Sequence, residues 1–241
     1  VDTFIARGFT YFDTAWMYHN KNSEQVVKLA LTDRYSHDRY TLADKYHLAY
    51  VKDGTPEEVF QAQLERCGVE YFDYYLLHDM GHDNYGKFQE VGAFDMVAKM
   101  KAEGKIRHVG FSCHDKAPFL DRVLTEHPEL EFVQIQLNYL DWDSQGIQAR
   151  EAYETITKHN KPVIPTLLHR CDWAIDIRGR VGTSQFTLSK MRRIQPYTEE
   201  SFKRFYAAGV TMAMGTDTQI EPYMGSNARE LAIYVSFGMT P

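Results

Sequence analysis

The chain has 241 residues, enough for one large α/β domain or two smaller ones with a full hydrophobic core. Hydrophobic residues make up 44% of the sequence and charged residues 25%, which is typical of a globular protein in water. A net charge of −6 argues against a nucleic-acid partner, and no apolar run approaches membrane-spanning length. Three widely separated cysteines and the lack of a signal peptide predict a reducing, cytoplasmic location.

The first recognisable element is a short buried strand within residues 8–18. It ends in a carboxylate at Asp13, and the phenol of Tyr18 follows in the next loop. Taken alone, Asp13 could also be a structural residue that caps the next turn or helix. Residues 1–7 have the pattern of the end of a helix, so we expect the sequence to begin inside a fold.

Helical and strand patterns then alternate along the chain. Apolar periodicity predicts helices at 23–35, 55–67, 88–103, 117–126, 146–159, 197–208 and 226–237. Near-continuous apolar runs predict strands at 40–45, 71–78, 106–112, 132–138, 162–167 and 210–215. The second helix has the clearest start, because Thr55, Pro56 and Glu58 form a capping box with proline at the first helical position, and Gly68 is a suitable C-cap.

This alternation predicts a parallel sheet with crossover helices. Seven units in a row favour a (β/α)8 TIM-type barrel that lacks its first strand, and the missing unit would precede Val1. No glycine-rich G-x-G-x-x-G turn follows a strand, which argues against a dinucleotide-binding Rossmann domain.

Ionisable residues close three consecutive strands. Asp13, Lys45 and His78 stand at predicted carboxyl ends, where barrel enzymes place their reactive groups, and Tyr18 lies just beyond the first. Individually, Lys45 could be a solvated strand end and His78 a hydrogen-bonded core histidine. Together they predict a shared site.

This set resembles the catalytic tetrad of the aldo-keto reductase family, and the resemblance covers residues 1–164. It implies that Tyr18 donates a proton to a small carbonyl substrate, and that Lys45, oriented by Asp13, eases the loss of that proton. His78 would position the carbonyl oxygen. The resemblance also implies NADPH or NADH as cofactor, with its carboxamide held by Ser112, Gln134 and Asn138. Cys113 stands where many relatives carry asparagine.

Residues 163–241 resemble a different barrel family, the closing portion of metal-dependent amidohydrolases. The match rests on the segments 209–217, 225–231 and 238–241, and it implies that Asp217 is a metal ligand, with zinc as the metal. We therefore expect a reductase-like portion at 1–164 and a hydrolase-like portion at 165–241 that closes the same barrel. A carbonyl reductase is the leading hypothesis. The alternatives are a metal-dependent amidohydrolase that uses Asp217 and a mosaic barrel without a complete active site.

Overall fold

A single parallel sheet organises the described part of the chain. The computed structural model describes residues 1–136, 146 and 148–166, together with scattered positions between 179 and 238. Six strands follow one another in sheet order as they do in sequence: β1 (Tyr11–Asp13), β2 (Thr41–Tyr46), β3 (Phe72–Met80), β4 (Ile106–Cys113), β5 (Phe132–Gln136) and β6 (Val163–Thr166). Every neighbouring pair is parallel. Sequential parallel strands joined by helices are the arrangement of a (β/α)8 barrel, so the predicted fold class is confirmed. The strand predicted at 210–215 lies outside the described residues.

The helices lie between the strands in the predicted order. They are α1 (Asp2–Ala6), α2 (Ser23–Val27), α3 (Pro56–Cys67), α4 (Tyr85–Glu90), α5 (Ala93–Ala102), α6 (Ala117–Glu126) and α7 (Ala149–Lys158). Helix α3 has the predicted capping box, in which the Thr55 hydroxyl accepts from the Glu58 amide and the Glu58 carboxylate accepts from the Thr55 amide. Gly68 ends α3 with φ +68°, the left-handed conformation that glycine adopts without strain.

Two predicted helices differ from the observed ones. The helix predicted at 23–35 continues from α2 as a π-helical turn, Lys28–Thr32. The helix predicted at 88–103 is divided into α4 and α5, because Gly92 adopts φ +74° between them and the helix cannot continue through that conformation. These differences lie in the connections and leave the order of the strands unchanged.

The alternation of side chains along the strands creates two cores. Ala43, Leu76 and Phe132 pack inside the curved sheet together with Tyr11, Tyr74 and Ile164. A larger core, which includes Leu42, Tyr46 and Tyr75, fills the space between the sheet and the helices. Since Lys45 shares the face of Ala43, its side chain points inward, whereas its neighbour Asp44 points toward the helices.

Candidate active site

The four side chains expected at the strand ends lie in one connected cluster. The Lys45 ammonium forms an ion pair with Asp13 and donates a hydrogen bond to the carbonyl of Thr14, with Nζ and O 3.0 Å apart. Lys45 Nζ also lies 4.9 Å from the centroid of the Tyr18 ring. The Tyr18 hydroxyl is 3.5 Å from His78 Nε2, the long limit of a hydrogen bond. β1, its following loop, β2 and β3 thus each supply one member.

Lys45 is buried, with 1% of its side chain exposed. Burial alone would lower the pKa of its ammonium, but the negative charge of Asp13, followed by the interaction with Tyr18, raises the pKa overall. The lysine therefore carries its charge at neutral pH inside the sheet. The alternative of a solvated strand end is wrong for Lys45.

His78 occupies an irregular place in β3. The pairing of β3 with β4 shifts register between Leu77 and Met80, and Asp79 adopts φ +57°, a conformation uncommon for residues other than glycine. Burial lowers the pKa of His78 to about 2, helped by the nearby Lys45 charge and by His47 and His114. His78 is thus a neutral imidazole across the physiological range. Its Nδ1 is buried and has no hydrogen-bond partner among the described residues.

Two of the residues expected to hold a nicotinamide carboxamide, Ser112 and Gln134, lie on the strands that follow β3 in the sheet. Ser112 and Gln134 are register partners on β4 and β5. The Ser112 oxygen accepts a hydrogen bond from the Asp79 amide (2.8 Å), so its own hydrogen is left to donate elsewhere. Asn138 lies outside the described residues. Cys113 belongs to the core between sheet and helices, because the next residue along a strand faces the opposite side.

Sequence patterns missed the aromatic pair that supports the Tyr18 loop. The Tyr50 hydroxyl accepts a hydrogen bond from the Met17 amide (2.7 Å), and the Trp16 ring packs on the Tyr50 ring with centroids 4.7 Å apart. Tyr50 lies in the 3-10 helix Leu48–Lys52 after β2, where no sequence period indicates which face is buried. His47 was also missed. Its ring centroid is 5.4 Å from that of His78, and its position two residues after Lys45 was the available signal.

The described residues contain no group of three or more histidine, cysteine or acidic side chains able to hold a metal ion. Asp217, the expected zinc ligand, lies outside the described residues, so the resemblance of residues 163–241 to amidohydrolases stays a prediction. Within the same described part of the chain, no helix combines the length and apolar character needed to cross a bilayer.

A parallel barrel sheet whose successive strand ends bring together an acid, a phenol, a lysine and a histidine defines a (β/α)-barrel protein with its candidate site at the carboxyl rim. Residues 1–168 match the model of the aldo/keto reductase family, and the chain belongs to this family.

Similar proteins agree with this assignment. Methylglyoxal reductase YeaE of Escherichia coli (strain K12) is 34% identical over 113 residues, which cover 47% of this chain and 37% of that protein. An aldo-keto reductase from Klebsiella pneumoniae, solved in complex with NADPH, is 29% identical with a TM-score of 0.53, covering 67% of this chain and 53% of that one. An aldo/keto reductase structure from Brucella melitensis has a TM-score of 0.62 at 19% identity, covering 98% of this chain and 81% of that one, and supports the fold alone. The chain therefore spans less than half of the curated relative's length and about half of the Klebsiella structure.

Proposed function

We propose that this protein reduces the carbonyl group of a small aldehyde or ketone to an alcohol, with a nicotinamide cofactor and with Tyr18 as the proton donor. The observation that carries the proposal is the contact set of Tyr18, whose ring faces the Lys45 ammonium and whose hydroxyl meets His78. A phenol beside a buried cation gives up its proton more easily than a phenol in water, because the cation stabilises the phenolate. The similar Klebsiella protein was solved in complex with NADPH, which supports a nicotinamide cofactor here. The choice between NADPH and NADH stays open.

Each of the other three residues has a role that its surroundings support. Asp13 neutralises Lys45 and fixes the ammonium, which also binds the Thr14 carbonyl. Neutral His78 has the hydrogen-bonding capacity to orient a carbonyl oxygen near the Tyr18 hydroxyl without adding a second positive charge. Proton donation by Tyr18 would then occur within a cluster whose members already contact one another, which reduces the reorganisation required.

The residues at the rim fit the amide end of a nicotinamide. Ser112 can donate through its hydroxyl hydrogen, and Gln134 offers both a donor and an acceptor, which together match the oxygen and nitrogen of a carboxamide. When bound, the reduced cofactor supplies the hydride. Ser112 is anchored through the Asp79 amide, so its side chain is held in place for such a contact.

The test is reduction of a panel of small aldehydes and ketones with NADPH and with NADH. Methylglyoxal belongs in the panel because the Escherichia coli relative is named for its reduction. We expect turnover by the unaltered protein and a loss of about 100-fold or more in Tyr18→Phe, the usual scale for removing a general acid. Tyr35→Phe is the control, since it removes an exposed hydroxyl that bonds to Asp2. If the unaltered protein turns over none of the substrates faster than Tyr18→Phe does, the proposal is refuted.

A further inference from the structure

A second group of ionisable side chains lies behind Lys45, on the face of β2 that packs against the helices. Asp44, Glu24 and Gln63 come from β2, α2 and α3, and each is fully buried. The roles proposed above for the rim use none of these three residues. Burying two carboxyl groups together is costly unless they are hydrogen-bonded and one of them is neutral.

This cluster binds both backbone polar groups of Lys45. Asp44 Oδ1 accepts from the Lys45 amide at 2.8 Å, and Gln63 Nε2 donates to the Lys45 carbonyl at 3.0 Å. Gln63 Nε2 also donates to Glu24 Oε1 at 3.2 Å. The backbone of Lys45 is therefore fixed from the side of the sheet opposite to its ammonium.

The same cluster reaches the loop that carries Tyr18. The Arg66 guanidinium forms an ion pair with Glu24 and donates to the carbonyl of Lys21, three residues after Tyr18. It thus connects the backbone supporting Lys45 to the loop supporting Tyr18. A change in the cluster would therefore shift both Lys45 and the loop that carries the proton donor Tyr18.

Asp44 and Glu24 are both fully buried around the backbone of Lys45, and Gln63 bonds to Glu24 and to the Lys45 carbonyl. Two carboxyl groups buried in one cluster are least costly when one of them keeps its proton. Glu24 is the better site for the negative charge, because the Arg66 cation and the Gln63 amide both donate to it. Asp44 instead faces neutral donors, the Lys45 amide and the Cys67 thiol, whose sulfur lies 3.6 Å from Oδ2. Burial, followed by the charge of Glu24, raises the pKa of Asp44 well above its ordinary value; the Lys45 amide and ammonium only partly oppose this.

We propose that Asp44 is a positioning residue that stays protonated at neutral pH, donating to Glu24 while it holds the backbone of Lys45. The ammonium of Lys45 then has Asp13 as its counter-carboxylate, Glu24 is neutralised by Arg66, and Asp44 adds no further negative charge that would reduce the effect of Lys45 on Tyr18. The positioning role rests on the proposed reductase function, whereas the protonation of Asp44 does not.

Protonation is tested without activity, by infrared difference spectroscopy of the whole chain at pH 7. The variant is Asp44→Asn, which keeps an acceptor oxygen and gains an N–H that can donate to Glu24. We expect the unaltered protein to show the carbonyl stretch of a protonated carboxyl group, and Asp44→Asn to lose it. Asp53→Asn, which changes an exposed aspartate, should retain it. A spectrum in which Asp44→Asn removes only carboxylate bands would overturn the proposal.

Kinetics test the positioning role. We expect Asp44→Asn to keep kcat within about twofold and to preserve the pH profile, because the hydrogen bonds of a neutral acid are retained. Asp44→Leu removes the acceptor for the Lys45 amide and should lower kcat about tenfold with little change in KM, the scale of one lost hydrogen bond. A tenfold loss in Asp44→Asn would mean that an ionised carboxylate is needed, and would overturn the proposal even if Asp44→Leu does not fold. If the unaltered protein reduces no substrate, the proposed function fails, and the infrared result still decides the protonation of Asp44.

Discussion

Replacing Lys45 by methionine tests the electrostatic centre of the proposed site. Methionine fills a similar volume and has no charge, so the packing inside the sheet is largely kept. The ammonium nitrogen lies 4.9 Å from the centroid of the Tyr18 ring. A unit charge at that distance stabilises a full negative charge on the phenol by about 3 kcal/mol at an effective dielectric constant of about 20.

This energy sets the expected loss of rate. If the whole negative charge develops on the phenol in the transition state, removing the ammonium lowers kcat about 150-fold, since about 1.4 kcal/mol corresponds to a factor of ten. If only half of the charge develops, the loss is about tenfold. We therefore expect kcat of Lys45→Met to fall between about 10- and 150-fold, while KM changes by less than about threefold, because the charge acts on proton transfer more than on binding.

The assay is the initial rate of NADPH oxidation with the best substrate of the panel, measured at several substrate concentrations. Lys52→Met is the matched control, because Lys52 is an exposed lysine at the end of the 3-10 helix that follows β2. Circular dichroism must first show that both variants are folded. A kcat of Lys45→Met equal to that of Lys52→Met, or a defect confined to KM, would refute the electrostatic role of Lys45.

Two further predictions concern His78 and the cofactor. The pKa of His78 is lowered to about 2 in the folded protein, whereas an unfolded histidine has a pKa near 6.5. The stability that neutral His78 contributes is therefore complete above pH 6.5, and it is lost as the pH falls below 6.5 because only the unfolded chain takes up the proton. Urea unfolding at pH 7 and pH 5 should therefore show an acid-induced loss of stability that is about 1–2 kcal/mol smaller in His78→Gln; equal losses in both proteins would contradict the lowered pKa. We also expect NADPH to bind about 10- to 100-fold more weakly than it binds a family member with a basic phosphate-binding loop, a difference of about 1.4–2.8 kcal/mol. The reason is that the sequence of residues 215–221 carries the acids Asp217 and Glu221 in place of basic residues. Micromolar or tighter binding in a fluorescence titration would mean that the arginines of residues 170–193 bind the phosphates instead, and would show this expectation to be wrong.

The sequence was informative wherever a local pattern determines a local structure. The capping box of α3 depends on two residues three positions apart, Thr55 and Glu58, and was predicted together with the Gly68 end of the helix. Lys45 and His78 could be placed at a common rim because carboxyl ends of parallel strands meet at one edge, so the order of the strands alone brings them together. The division between α4 and α5 was missed, since a glycine inside an apolar helical period carries no visible sign of its positive φ.

The cluster behind Lys45 shows what a single sequence could not provide. Glu24 and Arg66 are 42 residues apart, and each has the appearance of an ordinary surface charge on an amphipathic helix. Only the packing of α2 against α3, and of α3 against β2, makes Glu24 fully buried in the same cluster as Asp44. Asp44 itself, in the middle of an apolar strand, was the available signal, because a carboxyl group at a fully buried position requires a partner.

The two faces of β2 accommodate buried ionisable side chains in different ways. On the inner face, Lys45 keeps its charge in a buried position because Asp13 neutralises it and the Thr14 carbonyl accepts from it. On the outer face, Arg66 neutralises Glu24, and Asp44 avoids a further charge by keeping its proton. Each ion pair is then neutral by itself. The Lys45 ammonium can therefore stabilise the negative charge that develops on the nearby Tyr18 hydroxyl. An ionised Asp44 would add a second carboxylate within reach of Lys45 and weaken the stabilisation that Lys45 offers to a phenolate. The proton on Asp44 therefore serves the chemistry proposed for the opposite face of the strand.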